Sequence, residues 1–165
     1  MKILKWISFV FLSFLIQAKI EIFNYPLNLT IMLIYIFSFK ALLHPSKIGG
    51  NLTGVAELKG TLFGAGIGLM EDILTGSIIG PEFFSKGLTG FICAVIFSDV
   101  VFRWTPVLGG IAVIVLTSFD GFISTGLRMF FTDITINGVY TLQMILFQSF
   151  INIPFGILFK PGNFN

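Results

Sequence analysis

Long apolar stretches separated by short polar segments make up most of the chain. Six such stretches lie at residues 4–22, 27–43, 60–80, 84–102, 106–126 and 138–159. A helix needs about 20 residues to cross the hydrocarbon core of a bilayer, and most of these stretches approach that length. The pattern predicts an all-α integral membrane protein, in which a bundle of about six transmembrane helices forms one polytopic domain over residues 1–165.

The composition supports a lipid environment. Of the 165 residues, 55% are hydrophobic and 11% are charged, whereas about 25% of the residues of an ordinary soluble domain are charged. The mean hydropathy is +0.96. A chain this short leaves much of its surface exposed when it folds, so an aqueous core could not bury this much apolar surface.

The beginning of the chain has some features of a secretory signal peptide. Lys2 and Lys5 precede an apolar run that extends from Trp6 to Ile16. A cleavage site needs small residues, and Ile16-Gln17-Ala18 has a large one where a small one is required. We therefore expect this segment to remain as the first membrane span.

Lysine and arginine predict the orientation. If the N-terminus is cytoplasmic, the cytoplasmic set is Lys2, Lys5, Lys40, Lys47, Lys59, Arg103 and Lys160. The opposite side then carries only Lys19, Lys86 and Arg128. Cytoplasmic loops carry the excess of basic residues in membrane proteins, so both termini are predicted to be cytoplasmic.

The third stretch contains a regular stripe of small residues with one acid in it. The stripe, with one member at every fourth position, is Gly60, Gly64, Gly68, Asp72, Gly76 and Gly80. Residues four apart lie on one face of a helix, and glycines there allow a second helix to approach closely in lipid. The stripe is therefore predicted to be a helix-packing or partner-binding face.

Three interpretations of Asp72 remain open. It is hydrogen-bonded to another span of the bundle, it lies in an interface with a partner protein, or it belongs to an ion or substrate path. The last interpretation calls for a second intramembrane ionisable group, for which Lys86 is a candidate, although Glu82 could pair with Lys86 within the same helix. Glu71 lies about 100° around the helix from Asp72 and needs either a polar partner of its own or a shallower depth in the membrane.

The last stretch carries the polar side chains Gln143, Gln148 and Asn152, followed by Pro154. Amide side chains form hydrogen bonds between helices in membranes, and we hypothesise that one of these three amides is the partner of Asp72. Pro154 is expected to bend the helix near its end.

Nothing in the sequence predicts a catalytic, metal or cofactor site. Cys93 is the single cysteine and His44 the single histidine, so a cysteine- or histidine-based metal site is not expected. The motifs of metalloproteases, serine hydrolases and P-loop proteins do not occur. Asp120, Arg128 and Asp133 are expected at or beyond the outer end of the fifth stretch, either as solvated loop charges or as a periplasmic contact surface.

The chain resembles the MreD family of bacterial rod-shape membrane proteins. The resemblance rests on Gly68, Asp72, Gly76 and Gly80 at four-residue spacing and on the apolar stretch from Phe83 to Phe102 that follows them. Chain length, predicted helix number and the scarcity of soluble loops agree with it. In the last stretch, the spacing between Asn152 and Pro154 is shorter than in the family pattern.

The resemblance implies a non-enzymatic scaffold of the cell-elongation machinery in the bacterial cytoplasmic membrane. The partners it implies are an MreC-type protein, the glycosyltransferase RodA with its class B penicillin-binding transpeptidase, and, indirectly or weakly, the MreB filament. The helical layout it implies is similar to that of substrate-binding subunits of vitamin transporters. A small-molecule transporter subunit is therefore the alternative function.

Overall fold

The computed structural model describes residues 2–19, 21–22, 25–26, 28–43, 53–76, 78–99, 105–132 and 137–158. Within these residues the chain forms six helices, which are α1 (Lys2–Lys19), α2 (Thr30–Leu43), α3 (Thr53–Thr75), α4 (Pro81–Asp99), α5 (Pro106–Phe131) and α6 (Gly138–Leu158). A two-residue antiparallel ribbon, β1 (Glu21–Ile22) with β2 (Tyr25–Pro26), connects α1 and α2. The predicted helical fold class is confirmed, and each helix overlaps one apolar stretch.

Two helices, α3 and α5, differ most from their predicted bounds. The third helix starts at Thr53 rather than at residue 60 and ends at Thr75 rather than at residue 80. It ends there because the chain turns through Gly76, whose φ of 64° is a left-handed conformation that glycine adopts without steric cost. The fifth helix continues to Phe131 and includes Arg128 in its last turn, where a cation is favoured by the helix dipole.

The short helix α2 lies at the centre of the bundle. It packs against the other five helices, and every side chain from Ile31 to Ile36 is buried. Its 14 residues reach only about 21 Å at the rise of an α-helix, which is less than the thickness of a bilayer core of about 30 Å. The first turn of α2 is buried, so its polar backbone groups need partners from neighbouring helices.

Polar side chains are as frequent as hydrophobic ones among the buried side chains that the structure describes. Among the described residues, sixteen polar or charged side chains are buried, against fifteen hydrophobic ones. Twenty-nine large hydrophobic side chains of the described residues are exposed. Soluble monomers rarely expose large contiguous apolar patches, and charged side chains are rarely buried in them. This surface fits contact with lipid or with other apolar helices.

Two of the described helices, α5 and α6, are long and apolar enough to cross a membrane. This supports membrane association. Helices α3 and α4 are of comparable length, but they carry buried charged side chains that lower their hydropathy, including Glu71 and Asp72 on α3 and Glu82 and Lys86 on α4. The six-span arrangement and its orientation stay predictions. Lys47, Arg103 and Lys160, on which the orientation partly depends, lie outside the described residues.

Candidate functional site: a buried charged cluster

The glycines of α3 form an internal helix interface. Gly60, Gly64 and Gly68 face α4, and α3 and α4 are the most extensively packed pair among the described elements. A Cβ atom added at Gly64 would overlap the backbone carbonyl of Lys86, and one added at Gly68 would overlap that of Glu82. The structure thus places this part of the stripe in packing within the chain, where it is covered by α4.

Gly76 and Gly80 do not share that face. Both lie in the turn between α3 and α4, with φ values of 64° and 141°. The expectation that they continue the helical stripe is wrong because α3 has already ended at Thr75. Their regular spacing reflects a turn that needs glycine conformations directly after a glycine-rich helix.

Asp72 binds the beginning of α4. Its side chain is fully buried, and its carboxylate accepts hydrogen bonds from the backbone N–H groups of Gly80 at 2.8 Å, Phe83 at 3.1 Å and Glu82 at 3.3 Å. The first N–H groups of a helix have no partners within the helix and favour a negative charge. The hypothesis that an amide of α6 is the partner of Asp72 is wrong, because the tight α3–α4 turn brings these backbone groups closer.

Removing the Asp72 carboxylate is expected to destabilise the α3–α4 hairpin. We expect Asp72→Ala to lower the free energy of unfolding by about 2 kcal/mol, the upper end of the range for a lost N-terminal cap, because three N–H groups lose their acceptor. Unfolding in detergent, followed by circular dichroism, measures this loss.

The matched control for this prediction is Thr105→Ala, which removes the cap of α5. There a single N–H, that of Leu108, donates to Thr105 Oγ1 at 3.3 Å, and the site is exposed. The smaller loss is expected in this variant. An equal or smaller loss in Asp72→Ala would contradict the assignment of Asp72 as the cap of α4.

Lys86 is the centre of a cluster of charged side chains inside the bundle. Its ammonium group is fully buried and lies 2.6 Å from Glu82 Oε2, 3.0 Å from Glu71 Oε2 and 3.3 Å from Asp120 Oδ2. These carboxylates come from three helices, α4, α3 and α5. A buried ammonium ion is tolerated only when such partners compensate for lost hydration. Glu71, Glu82, Lys86 and Asp120, together with Arg128, are called the charged cluster below.

The side of the cluster toward the end of α5 contains Arg128. Its guanidinium donates to Glu82 Oε1 at 2.8 Å, and the hydroxyl of Ser124 donates to the same oxygen. Asp120 is 1% exposed and accepts a hydrogen bond from Ser85 at 2.6 Å. The expectation that Asp120 is a solvated charge or an outer contact residue is wrong, because α5 continues past it to Phe131, about three turns further. Asp133 and His44 lie outside the described residues.

Two amide side chains connect the beginning of α2 to the charged cluster through hydrogen bonds. Gln17 of α1 donates to Glu71 Oε1 at 2.7 Å and accepts from the backbone N–H of Leu29 at 3.2 Å. Asn28 donates to Asp120 Oδ2 at 2.9 Å. Non-helical backbone is tolerated at membrane depth only where protein or enclosed water satisfies it, and these side chains supply such partners.

The three polar side chains of α6 lie in different environments. Asn152 is fully buried, and its amide nitrogen donates to the carbonyl of Asn28 at 3.0 Å and to Thr117 Oγ1 at 3.1 Å. Gln148 is buried, whereas Gln143 is exposed. Asn152 therefore connects α6 to α5 and to the segment before α2. Pro154 lies within α6, which continues to Leu158.

Sequence reasoning found part of this cluster. The Glu82–Lys86 spacing predicts a pair within one helix, and the structure contains this pair. The sequence patterns do not identify the polar neighbours of the cluster, which are Gln17, Asn28, Thr30 and Ser85. The position of Asp120 within a long apolar stretch is the sequence feature that could have predicted its burial. In the described part of the chain, no group of three or more His, Cys, Asp and Glu side chains is placed to hold a metal ion. The arrangement holds helices together through charge pairing.

The chain was compared with family models, curated proteins and solved structures. No family model, curated protein or solved structure matches it. The MreD resemblance therefore rests on the sequence features described above.

Proposed function

We propose that this chain is a multi-pass protein of the bacterial cytoplasmic membrane that acts as a non-enzymatic scaffold in rod-shape peptidoglycan synthesis. It spans the membrane six times with both termini in the cytoplasm. The observation that carries the scaffold role is the closed charged cluster inside an apolar exterior. The assignment to the elongation machinery rests on the MreD resemblance.

The pairing within the interior supports a scaffold. Each buried charged side chain in the described part of the chain has a charged partner or a backbone partner, as for Lys86 with Glu71, Glu82 and Asp120 and for Asp72 with the start of α4. Ionisable groups in a membrane interior that serve transport line a path or contact a substrate. Here they connect α3, α4 and α5 to one another, which gives a rigid bundle.

The exterior supports association within the bilayer. Large apolar side chains are exposed on α3, α5 and α6, for example Leu62, Val115 and Phe150. Such a surface accommodates lipid chains or a membrane helix of another protein through close packing. An MreC-type protein is the proposed direct partner, and RodA with its transpeptidase is reached through it. The MreB filament is an indirect or weak partner.

Depletion of the protein in the bacterium that encodes it tests the proposed function. Rod-shaped cells are expected to become round, and a plasmid copy of the wild-type gene is expected to restore rods. Lys59→Met, which lies outside the charged cluster, is expected to restore rods, whereas Lys86→Met is not. Normal rods that acquire a growth defect corrected by one nutrient would contradict the scaffold and favour the transporter subunit.

Purification provides the complementary readout. The protein extracted in mild detergent is expected to retain an MreC-type protein. A tightly retained small molecule without that protein would contradict the proposal.

A further inference from the structure

The charged cluster contains one more acid than base. Glu71, Glu82 and Asp120 face Lys86, and Arg128 reaches only Glu82, while 43% of its side chain remains exposed. Asp72, the other described acid nearby on α3, is bound by backbone N–H groups of α4. An uncompensated charge in a low-dielectric interior is costly, and a buried group neutralises itself instead. Electrical neutrality of the charged cluster therefore requires one additional positive charge.

The hydrogen-bond donors distinguish the three carboxyl groups. Glu82 accepts hydrogen bonds from Lys86, Arg128 and the hydroxyl of Ser124. Asp120 accepts hydrogen bonds from Lys86, the amide of Asn28 and the hydroxyl of Ser85. Each of these two carboxylates thus has three donors, as an ionised group favours.

Glu71 has a different environment. Gln17 donates to Oε1, and Lys86 donates to Oε2. The third neighbour is Thr30, whose Oγ1 lies 3.2 Å from Glu71 Oε2 and 2.9 Å from Asn28 Oδ1. A threonine hydroxyl has one hydrogen, and the closer acceptor is Asn28. The Thr30 oxygen can then accept a hydrogen bond from a protonated Glu71.

A second, separate feature of the polar interior is a buried acceptor without a protein partner. Asn152 is fully buried, and among the described residues its Oδ1 has no hydrogen-bond partner although its nitrogen has two. Buried acceptors of this kind are usually satisfied by water. Asn152 contacts Asn28, which contacts Asp120, so this unpartnered oxygen belongs to the same polar interior as the charged cluster.

We propose that the charged cluster is a proton-binding site, in which Glu71 accepts one proton from a hydronium ion of the solvent and becomes a neutral carboxylic acid. Its O–H donates to Thr30 Oγ1, and the Thr30 hydroxyl donates to Asn28 Oδ1. The carboxyl O–H bond forms as one O–H bond of the hydronium ion breaks, and a water molecule is left. The bound proton joins α3 to the first turn of α2 and balances the charge of the cluster. This inference concerns the chemistry of the interior and does not depend on the scaffold function.

Infrared spectroscopy of the complete protein in lipid vesicles at neutral pH tests the inference. A protonated carboxyl gives a C=O stretching band above the amide band. We expect such a band in the wild-type protein, with a shift to lower frequency in heavy water because the proton exchanges. Incorporation of ¹³C-labelled glutamate is expected to shift the band, whereas ¹³C-labelled aspartate is expected to leave it in place.

Variants assign the band to one residue. Glu71→Gln is expected to abolish it, and Asp72→Asn, a neighbouring acid with a different set of partners, is expected to retain it. The absence of the band in the wild-type protein, its persistence in Glu71→Gln, or its movement with labelled aspartate would overturn the proposal. As a second measurement, Glu71→Gln is expected to unfold at a higher temperature than Glu82→Gln, and the reverse order would also overturn it.

Discussion

Replacing Lys86 with methionine is expected to lower the free energy of unfolding by about 3–5 kcal/mol, the usual cost of removing one partner from a buried ion pair. Methionine approximates the length of the lysine stem, so the change removes the charge with little change in volume. Glu71, Glu82 and Asp120 would then face one another without the ammonium ion that lies within 3.3 Å of each. Reversible unfolding of the purified protein in detergent measures the loss.

Lys59→Met is the matched control for this prediction. It makes the same chemical change on α3, at a side chain that is only partly buried and lies outside the charged cluster. A lone, partly exposed charge contributes little to stability, so its loss is expected to be small. If both variants were equally stable, Lys86 would not be the centre of the cluster.

Replacing Gly68 with alanine is expected to cost about 3 kcal/mol or more, the upper end of the range for overpacking. The added methyl group would overlap the carbonyl group of Glu82, which is backbone within the first turn of α4. A flexible side chain could move aside, but the helix backbone cannot. Helices α3 and α4 would therefore separate, and this would also displace Lys86 and Glu82 from Glu71.

Gly66→Ala on the same helix is the control. A Cβ atom at Gly66 meets no atom within 4 Å, and alanine is favoured over glycine in a helix interior by up to about 1 kcal/mol. This variant is expected to be as stable as the wild type or more stable. Equal destabilisation by the two alanines would show that helix propensity, and not contact with α4, determines the effect.

The sequence predicted the helices well because apolar stretches of membrane length have few other stable conformations. In lipid, each backbone polar group needs a partner within the protein, and an α-helix supplies them from its own chain. The start of α5 at Pro106 and that of α6 at Gly138 coincide with the predicted starts. The end of α3 was predicted less well, because the periodic glycine pattern continues into a turn in which Gly76 has a positive φ.

The partners of the charged side chains were predicted less well than the helices. Glu82 and Lys86 lie four residues apart, so local geometry alone predicts their contact. The contacts of Lys86 with Glu71 and Asp120 join side chains that are 15 and 34 residues apart in the chain and lie on different helices. Such contacts depend on which faces of the helices meet, and the periodicity of one helix does not specify that.

The six apolar stretches and the scarcity of charged residues determined, from sequence alone, a helical protein with an apolar exterior. The glycine spacing determined that α3 could approach another helix closely, since residues without side chains leave room for a backbone. Only the tertiary structure decided that this helix is α4, that Asp72 binds its first N–H groups, and that Asp120 lies beside Lys86. The physical reason is that a buried charge must find compensation, and several pairings of these acids and bases satisfy that requirement until packing selects one.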